Sequence, residues 1–105
     1  MALPVFNLAG TAVVSTTTAT VSWPTHATND VALLIVQSAA EASSLVTAAG
    51  FVQVTNSPQT TGTAAATNAV AVNVYWKRAT TASEANVTCA DAGDHVHAQL
   101  SLIHI

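Results

Sequence analysis

The sequence predicts an all-β protein, folded as a single β-sandwich of about seven short strands. β-branched residues, especially Val and Thr, dominate the chain, and such side chains are enriched in strands. Turn-forming residues separate the short apolar runs, and several runs alternate apolar with polar side chains. That alternation is typical of strands with one buried face. The pattern leaves open whether the strand order is jelly-roll or immunoglobulin-like.

In the first half of the chain, strands are predicted at residues 3–8, 12–15, 19–23, 30–37 and 51–55. Pro24 ends the third of these, because proline has no N–H to donate to a strand ladder. The segment 30–37 is apolar on both faces, so we expect a central strand that is covered from two sides and is the most protected. The Ala-rich window 39–49 allows a short helix or a turn that Gly50 would end.

In the second half, a loop of small residues at 56–68 precedes strands at 69–77, 86–90 and 95–105. One alternating set of the first of these strands is predicted to face the core: Val70, Val72, Val74 and Trp76. The inward set of the final strand is predicted to be Val96, Ala98, Leu100 and Leu102. Its outward set is polar until Ile103 and Ile105, and an apolar end on an outer face indicates an interface.

Length and composition exclude several classes of protein. The 105 residues predict one domain, 1–105, in which 1–10 is a possible N-terminal contact arm. Lys77 and Arg78 are the two cationic residues and the formal net charge is −3, so we expect no nucleic-acid partner. The longest aliphatic run, 31–36, is far shorter than the roughly 18 residues of a membrane span. Only 7% of the residues are charged, which favours a protein packed among neighbouring molecules.

The histidines suggest a metal site, which we weigh against a simpler interpretation. His95 and His97 lie on one face of a strand, where Asp94, His26 or His104 could complete a set of ligands. His104 is an odd number of residues from His97, so without a bulge it points to the opposite face. A solvated strand face is the favoured interpretation, and we expect neither a metal nor a cofactor.

Catalytic patterns are missing from the sequence. The chain has no Gly-x-Ser-x-Gly turn and no recognisable nucleophile and base, and its five acidic residues are scattered singly. We therefore expect a protein that is not an enzyme. Cys89, in an alternating segment, is interpreted as a small buried residue. Trp23 and Tyr75 are candidate platforms for a sugar ring, whereas Trp76 is assigned to the core.

A combined pattern of short motifs resembles a small β-sandwich domain of tailed-phage and prophage virion proteins. The motifs are Trp23-Pro24, NDVALLIV at 29–36, Gly50-Phe51, Gly62-Thr63, VYWKRAT at 74–80, Ser83-Glu84 and Gly93-Asp94-His95. Each alone is a strand or turn signal, and their order and spacing carry the resemblance over about residues 20–102. Family members often continue into further strands after this point, so another copy is expected to complete the fold.

The resemblance implies a non-enzymatic structural protein of the virion, assembled in the host bacterial cytoplasm. It would be a capsid decoration or cement protein that stabilises the shell by repeated non-covalent contacts. The implied partners are the major capsid protein or other virion proteins, and the chain would be a homo-oligomer, a trimer by analogy. The predicted contact residues are Leu3, Val5, Phe6, Leu8, Ile103 and Ile105. The alternative is a tail-fibre or tail-spike module that binds host surface glycan through Trp23 and Tyr75.

Overall fold

The computed structural model describes residues 3–39, 44–47, 50–57, 59–61, 70–90 and 95–104. They contain ten strands: β1 (Val5–Ala9), β2 (Val13–Ser15), β3 (Thr18–Val21), β4 (Val31–Ala39), β5 (Ser44–Thr47), β6 (Val52–Gln53), β7 (Gln59–Thr61), β8 (Val70–Arg78), β9 (Val87–Ala90) and β10 (His95–His104). Over these ranges, no helix has the length and apolar character needed to cross a bilayer.

The strands form two antiparallel sheets, which confirms the all-β class and is consistent with a β-sandwich. The larger sheet has the order β1-β10-β4-β8-β6, with β2 also paired to β10 and β7 also paired to β8. The smaller sheet has the order β3-β9-β5. The long strands β10, β4 and β8 form the middle of the larger sheet, and short strands flank them on both sides.

The core lies between the two sheets and consists of small and branched aliphatic side chains. The smaller sheet contributes Ala19, Val21, Val87 and Cys89. The larger sheet contributes Ala32, Leu34, Val36, Val96, Ala98, Leu100 and Leu102. Sheets that pack face to face bury alternate residues of each strand in this way.

Strand β10 follows its predicted alternation. Its four predicted inward residues are completely buried, which confirms that assignment. Cys89 is also completely buried, as interpreted from the sequence.

The structure corrects the face assignment of β8. Ala71 and Asn73 are buried and Tyr75 packs against the core, whereas Trp76 remains 42% exposed. The predicted inward set, Val70, Val72, Val74 and Trp76, therefore lies on the outer face of the larger sheet. The register with β4 decides this, because Leu34 pairs with Tyr75 and residues directly opposite each other point to the same side.

Strand β4 is central, as predicted, with β10 and β8 as its two neighbours. The expectation that both of its faces are covered was wrong for this chain. Ala32, Leu34 and Val36 point into the core, but Ile35 on the opposite face is 41% exposed. The smaller sheet covers only the inner face.

Two strands occur where other structure was expected. The window considered for a helix or turn contains β5, whose backbone pairs with β9. The predicted loop at 56–68 contains β7, which pairs with β8. The partner of β5 lies about forty residues away, so local residue patterns carried little information about that pairing. Strand β7 pairs with the next strand along the chain, and its three polar residues gave no apolar alternation.

Candidate interaction site

Strand β1 forms one edge of the larger sheet. It pairs with β10 through Val5 opposite His104 and Phe6 opposite Ile103, then shifts register before Leu8 opposite Leu102. In the described part of the chain, β10 is the only strand that pairs with β1. The other side of β1 therefore presents backbone donors and acceptors to a partner, as the edges of open sheets do.

All five residues of β1 are exposed. The apolar ones are Val5, Phe6, which is 65% exposed, and Leu8, and the preceding Leu3 is also exposed. An edge strand with apolar side chains uncovered on both faces is rare in proteins that act alone, because it promotes pairing with other chains. The predicted contact residues of the N-terminal arm thus lie together on one exposed strand.

The predicted contact at the other end of the chain is only partly described. Ile103 is half-buried, between its cross-strand neighbours Phe6 and Val31. It extends the apolar surface of β1 toward the middle of the sheet. Ile105 lies outside the described residues.

An open groove of about 470 Å³ lies beside β1. Its walls are Asn7, Leu8, Thr25, His26, Ala27, Asp30 and His104. At its base, the buried carboxylate of Asp30 accepts hydrogen bonds from the Ala27 N–H at 2.9 Å and from Nδ1 of His104 at 2.6 Å. These two bonds join the 27–30 turn to the last described strand.

The hydrogen bond from the Ala27 N–H, followed by that from His104, lowers the pKa of Asp30, although burial acts in the opposite direction. A His–Asp pair of this kind also occurs in catalytic sites, where the carboxylate orients the imidazole. The backbone carbonyl of Asp30 also accepts a hydrogen bond from the Ala79 N–H. Asp30 thus connects the 27–30 turn with His104 at the end of β10 and with Ala79, the residue after β8.

Trp23, one of the two candidate sugar platforms, lies in an aromatic cluster rather than on an open surface. Its ring is 4.8 Å from that of His26 and 5.9 Å from that of Phe51, measured between centroids. Nζ of Lys77 lies 5.8 Å from the Trp23 ring centre, within the range of a cation–π contact. The buried Nε1 of Trp23 has no hydrogen-bond partner among the described residues.

Glu84 holds the cationic end of this cluster. Its carboxylate accepts hydrogen bonds from Nζ of Lys77 at 2.6 Å and from both the N–H and the hydroxyl of Thr80. The Lys77 contact is the main reason that the pKa of Glu84 falls to about 2. The N–H of Glu84 donates to Nε2 of His26, whose Nδ1 in turn donates to the Pro24 carbonyl. Both nitrogens of His26 are therefore occupied within the protein.

Lys77 also depends on the turn at Gly50. Gly50 has a φ of +83°, and a Cβ added there would be 3.0 Å from Cε of Lys77. Glycine adopts this left-handed conformation without a steric penalty. The residue therefore leaves room for the lysine side chain to reach Glu84.

Tyr75, the second candidate sugar platform, is on the inner face of the larger sheet and packs against the core. Burial, with a smaller contribution from nearby Cys89, raises the pKa of its hydroxyl. The exposed aromatic residue of this strand is its neighbour Trp76. Trp23 and Tyr75 thus contact the same core and do not form a shared open platform.

The described histidines do not form one group: His26 and His104 line the groove beside β1, and His97 is at the other end of β10. His97 is on the outer face of β10 beside Gln37, whereas His104 is on the opposite face at the other end of the strand, as its odd offset predicted. Among the residues that the structure describes, no group of three or more His, Cys, Asp or Glu side chains could hold a metal ion. The side chains of Asp94 and His95 lie outside that part.

Sequence reasoning missed two features of this region. The Asp30–His104 contact joins residues 74 positions apart, and only the pairing of β4 with β10 brings them together. The second is the outward orientation of the most apolar face of β8, which depends on its register with β4. The sequence did contain a signal for an apolar outer face: β4 is apolar on both faces, and only one of them can pack against the smaller sheet.

Comparisons with known proteins identify no relative. The chain matches no protein family model, no curated protein and no solved structure.

Proposed function

We propose that this chain is a structural protein of a tailed-phage virion, most simply a decoration protein that binds the capsid lattice. The observation that carries the proposal is the exposed apolar edge strand β1 with its unpaired side. A strand of a capsid protein would add to this edge through backbone hydrogen bonds, while Phe6 and Leu8 enter shallow apolar pockets. The motif resemblance, the β-sandwich and the low charge all agree with this role.

The contact would be weak in each copy and strong over the particle. A capsid presents many identical sites, and a homo-oligomer, a trimer by the resemblance, binds several of them at once. Linked binding of this kind raises the overall affinity by orders of magnitude without any new contact. No chemical step is needed, so the role requires no catalytic residue and no cofactor.

The copy number in purified particles tests the proposal. Virions produced by the phage or induced lysogen that encodes the chain would be purified on a density gradient, and the chain quantified against the major capsid protein by mass spectrometry. A decoration protein is expected at about one copy per capsid protein. A few copies per particle would instead indicate a tail component, and absence from the particles would contradict a virion role.

The contact strand is tested by adding the purified chain back to particles that lack it. Phe6→Asp is expected to weaken co-sedimentation with the particles at least about tenfold, because a charge would enter an apolar contact. Val14→Asp is the matched control, since Val14 is equally exposed and apolar but lies on β2. Equal loss in both variants would show that β1 is not the specific contact.

The alternative, a tail module that binds host surface glycan, has less support. Such modules present exposed aromatic rings, and Trp23 and Tyr75 both pack against the core. Particles with only a few copies of the chain, together with quenching of its tryptophan fluorescence by host polysaccharide, would favour this alternative.

A further inference from the structure

The outer face of the larger sheet is a second apolar surface. It adjoins the edge strand, because Phe6 pairs with Ile103 and Ile103 pairs with Val31 on this face. Along the central strands β4 and β8, its apolar side chains include Val31, Leu33, Ile35, Val72, Val74 and Trp76, and the same face carries Gln37 and Arg78. Ile35 is 41% and Trp76 is 42% exposed. In β8 this outer set is more apolar than the inner set, which contains Asn73 and Lys77. A strand that turns its more apolar side away from its own core has that side available for another surface.

We propose that two copies of this chain associate face to face through the outer face of the larger sheet. Each copy would place its apolar β4–β8 surface against that of the other, so that the two sheets stack about 10 Å apart as layers of a sandwich do. The contact uses the same surface on both copies and closes as a dimer, in contrast to the trimer that the motif resemblance implies. This inference rests on the sheet face and does not depend on the virion role.

The size of the face fits such a dimer. Strands β10, β4 and β8 have nine or ten residues each, which gives a length of about 30 Å, and three strands about 4.8 Å apart give a footprint of about 430 Å². The short flanking strands add to this area. A standard stable interface buries about 800 Å² per partner, and weaker interfaces bury less than about 600 Å². The face therefore fits a weak dimer that forms at high concentration.

The charge of the face favours a second copy over a charged partner. Among the described outward-facing residues of β4, β8 and β10, Arg78 at the end of β8 is the one with a permanent charge. A partner with many charged groups would have to desolvate them against a surface that offers no counter-charge. A second copy brings an equally neutral surface, with polar His97, Gln99 and Ser101 at one side of the apolar centre.

The experiment is sedimentation of the full-length chain over a concentration series from about 0.1 to 100 µM. We expect a species of two copies at the upper end. Ile35→Lys is expected to raise the dissociation constant at least about a hundredfold, because each dimer would bury two unpaired charges. Val5→Lys is the matched control: Val5 is exposed and apolar but lies on β1, where it pairs with His104 on the inner side of the sheet. It should change the dissociation constant less than about threefold.

A folding control and a second readout of association accompany the sedimentation experiment. Far-UV circular dichroism and a melting curve establish that each variant is folded, and Trp76→Gln serves as a second interface variant if Ile35→Lys does not fold. In a Trp23→Phe background, the emission of Trp76 should shift to shorter wavelength as the concentration rises, since association removes its ring from water. The proposal is overturned by a monomer with unchanged emission at all concentrations, which would leave the face to another partner. It is equally overturned by an oligomer that Val5→Lys dissociates and Ile35→Lys leaves intact.

Discussion

Single carboxylates in this protein join segments of the chain through hydrogen bonds. Asp30 fixes the turn before β4 and also binds His104 on β10. Glu84 binds the nearby Lys77 and Thr80 through its carboxylate, and its N–H donates to the distant His26. In a chain with so few charged residues, these buried or half-buried carboxylates are fully engaged, since a buried charge without partners would be costly.

Replacement of Glu84 should change the dependence of stability on pH. The pKa of Glu84 is about 2 in the folded chain, against an ordinary value of 4.5, so the stability that it contributes is present above about pH 4.5 and is lost as the pH falls toward 2. The lowered pKa of Asp30 adds a loss in the same direction below its ordinary value of 3.8. Glu84→Gln should melt at a lower temperature than the wild type at neutral pH, and the two melting temperatures should converge near pH 2.

The measurement is thermal unfolding followed by circular dichroism between about pH 7 and pH 2. Ser83→Ala is the control, because its exposed side chain lies in the same turn and its backbone bond to Thr81 is kept; it should retain the wild-type pH dependence. Parallel curves for Glu84→Gln and the wild type across this window would contradict the role assigned to the ion pair.

At the scale of elements, the larger sheet has a protected centre and an open edge. The pairing of β4 with β10 and with β8 extends over nine residues on each side. Strand β1 pairs on one side only and across a register shift. The backbone of β4 is therefore paired with neighbouring strands on both sides, and that of β1 on one side only. We expect β1 to open more readily, and it is the strand that is proposed to bind a partner.

Hydrogen exchange should resolve this difference along the chain. Amides of β4 are expected to exchange slowest, near the rate of global unfolding, because both of its edges are paired. Those of β1 are expected to exchange much faster in the isolated chain and to slow down when the chain is bound to particles. The measurement is exchange with mass spectrometric or NMR detection. Equal protection of β1 and β4 in the isolated protein would contradict the assignment of β1 as an open edge.

At the scale of the whole molecule, the described residues form one buried core and leave an apolar sheet face and an apolar edge strand exposed. The smaller sheet, β3-β9-β5, covers the inner face of the larger sheet, while the outer face and the edge β1 have no cover in the described chain. Burial of such surfaces in the proposed assemblies would account for a hydrophobic fraction of 50% with few charges. Self-association would centre on Ile35 and Trp76, whereas particle binding would use the unpaired side of β1. The two surfaces meet at Phe6, which pairs with Ile103 on the outer face.

A pair of neighbouring substitutions distinguishes the two faces of the larger sheet. Leu34→Ala is expected to lower the free energy of unfolding by about 2–5 kcal/mol, because Leu34 is completely buried and its removal leaves a cavity. Ile35→Ala should cost less than about 1 kcal/mol in the monomer. Both are measured by urea unfolding at low concentration, so that association does not contribute. Similar losses for the two variants would contradict the outward orientation of Ile35.

The sequence by itself determined the all-β class, the positions of eight of the ten described strands, the inward set of β10 and the burial of Cys89. These features depend on local alternation and on turn residues, which a single chain displays directly. Only the tertiary structure decided the orientation of β8, the strands β5 and β7, and the Asp30–His104 contact. In β8 both alternating sets contain residues that a core accepts, so its register with β4, fixed across about thirty intervening residues, decided which set is inside. The resulting apolar outer face is the feature from which association of two copies is inferred.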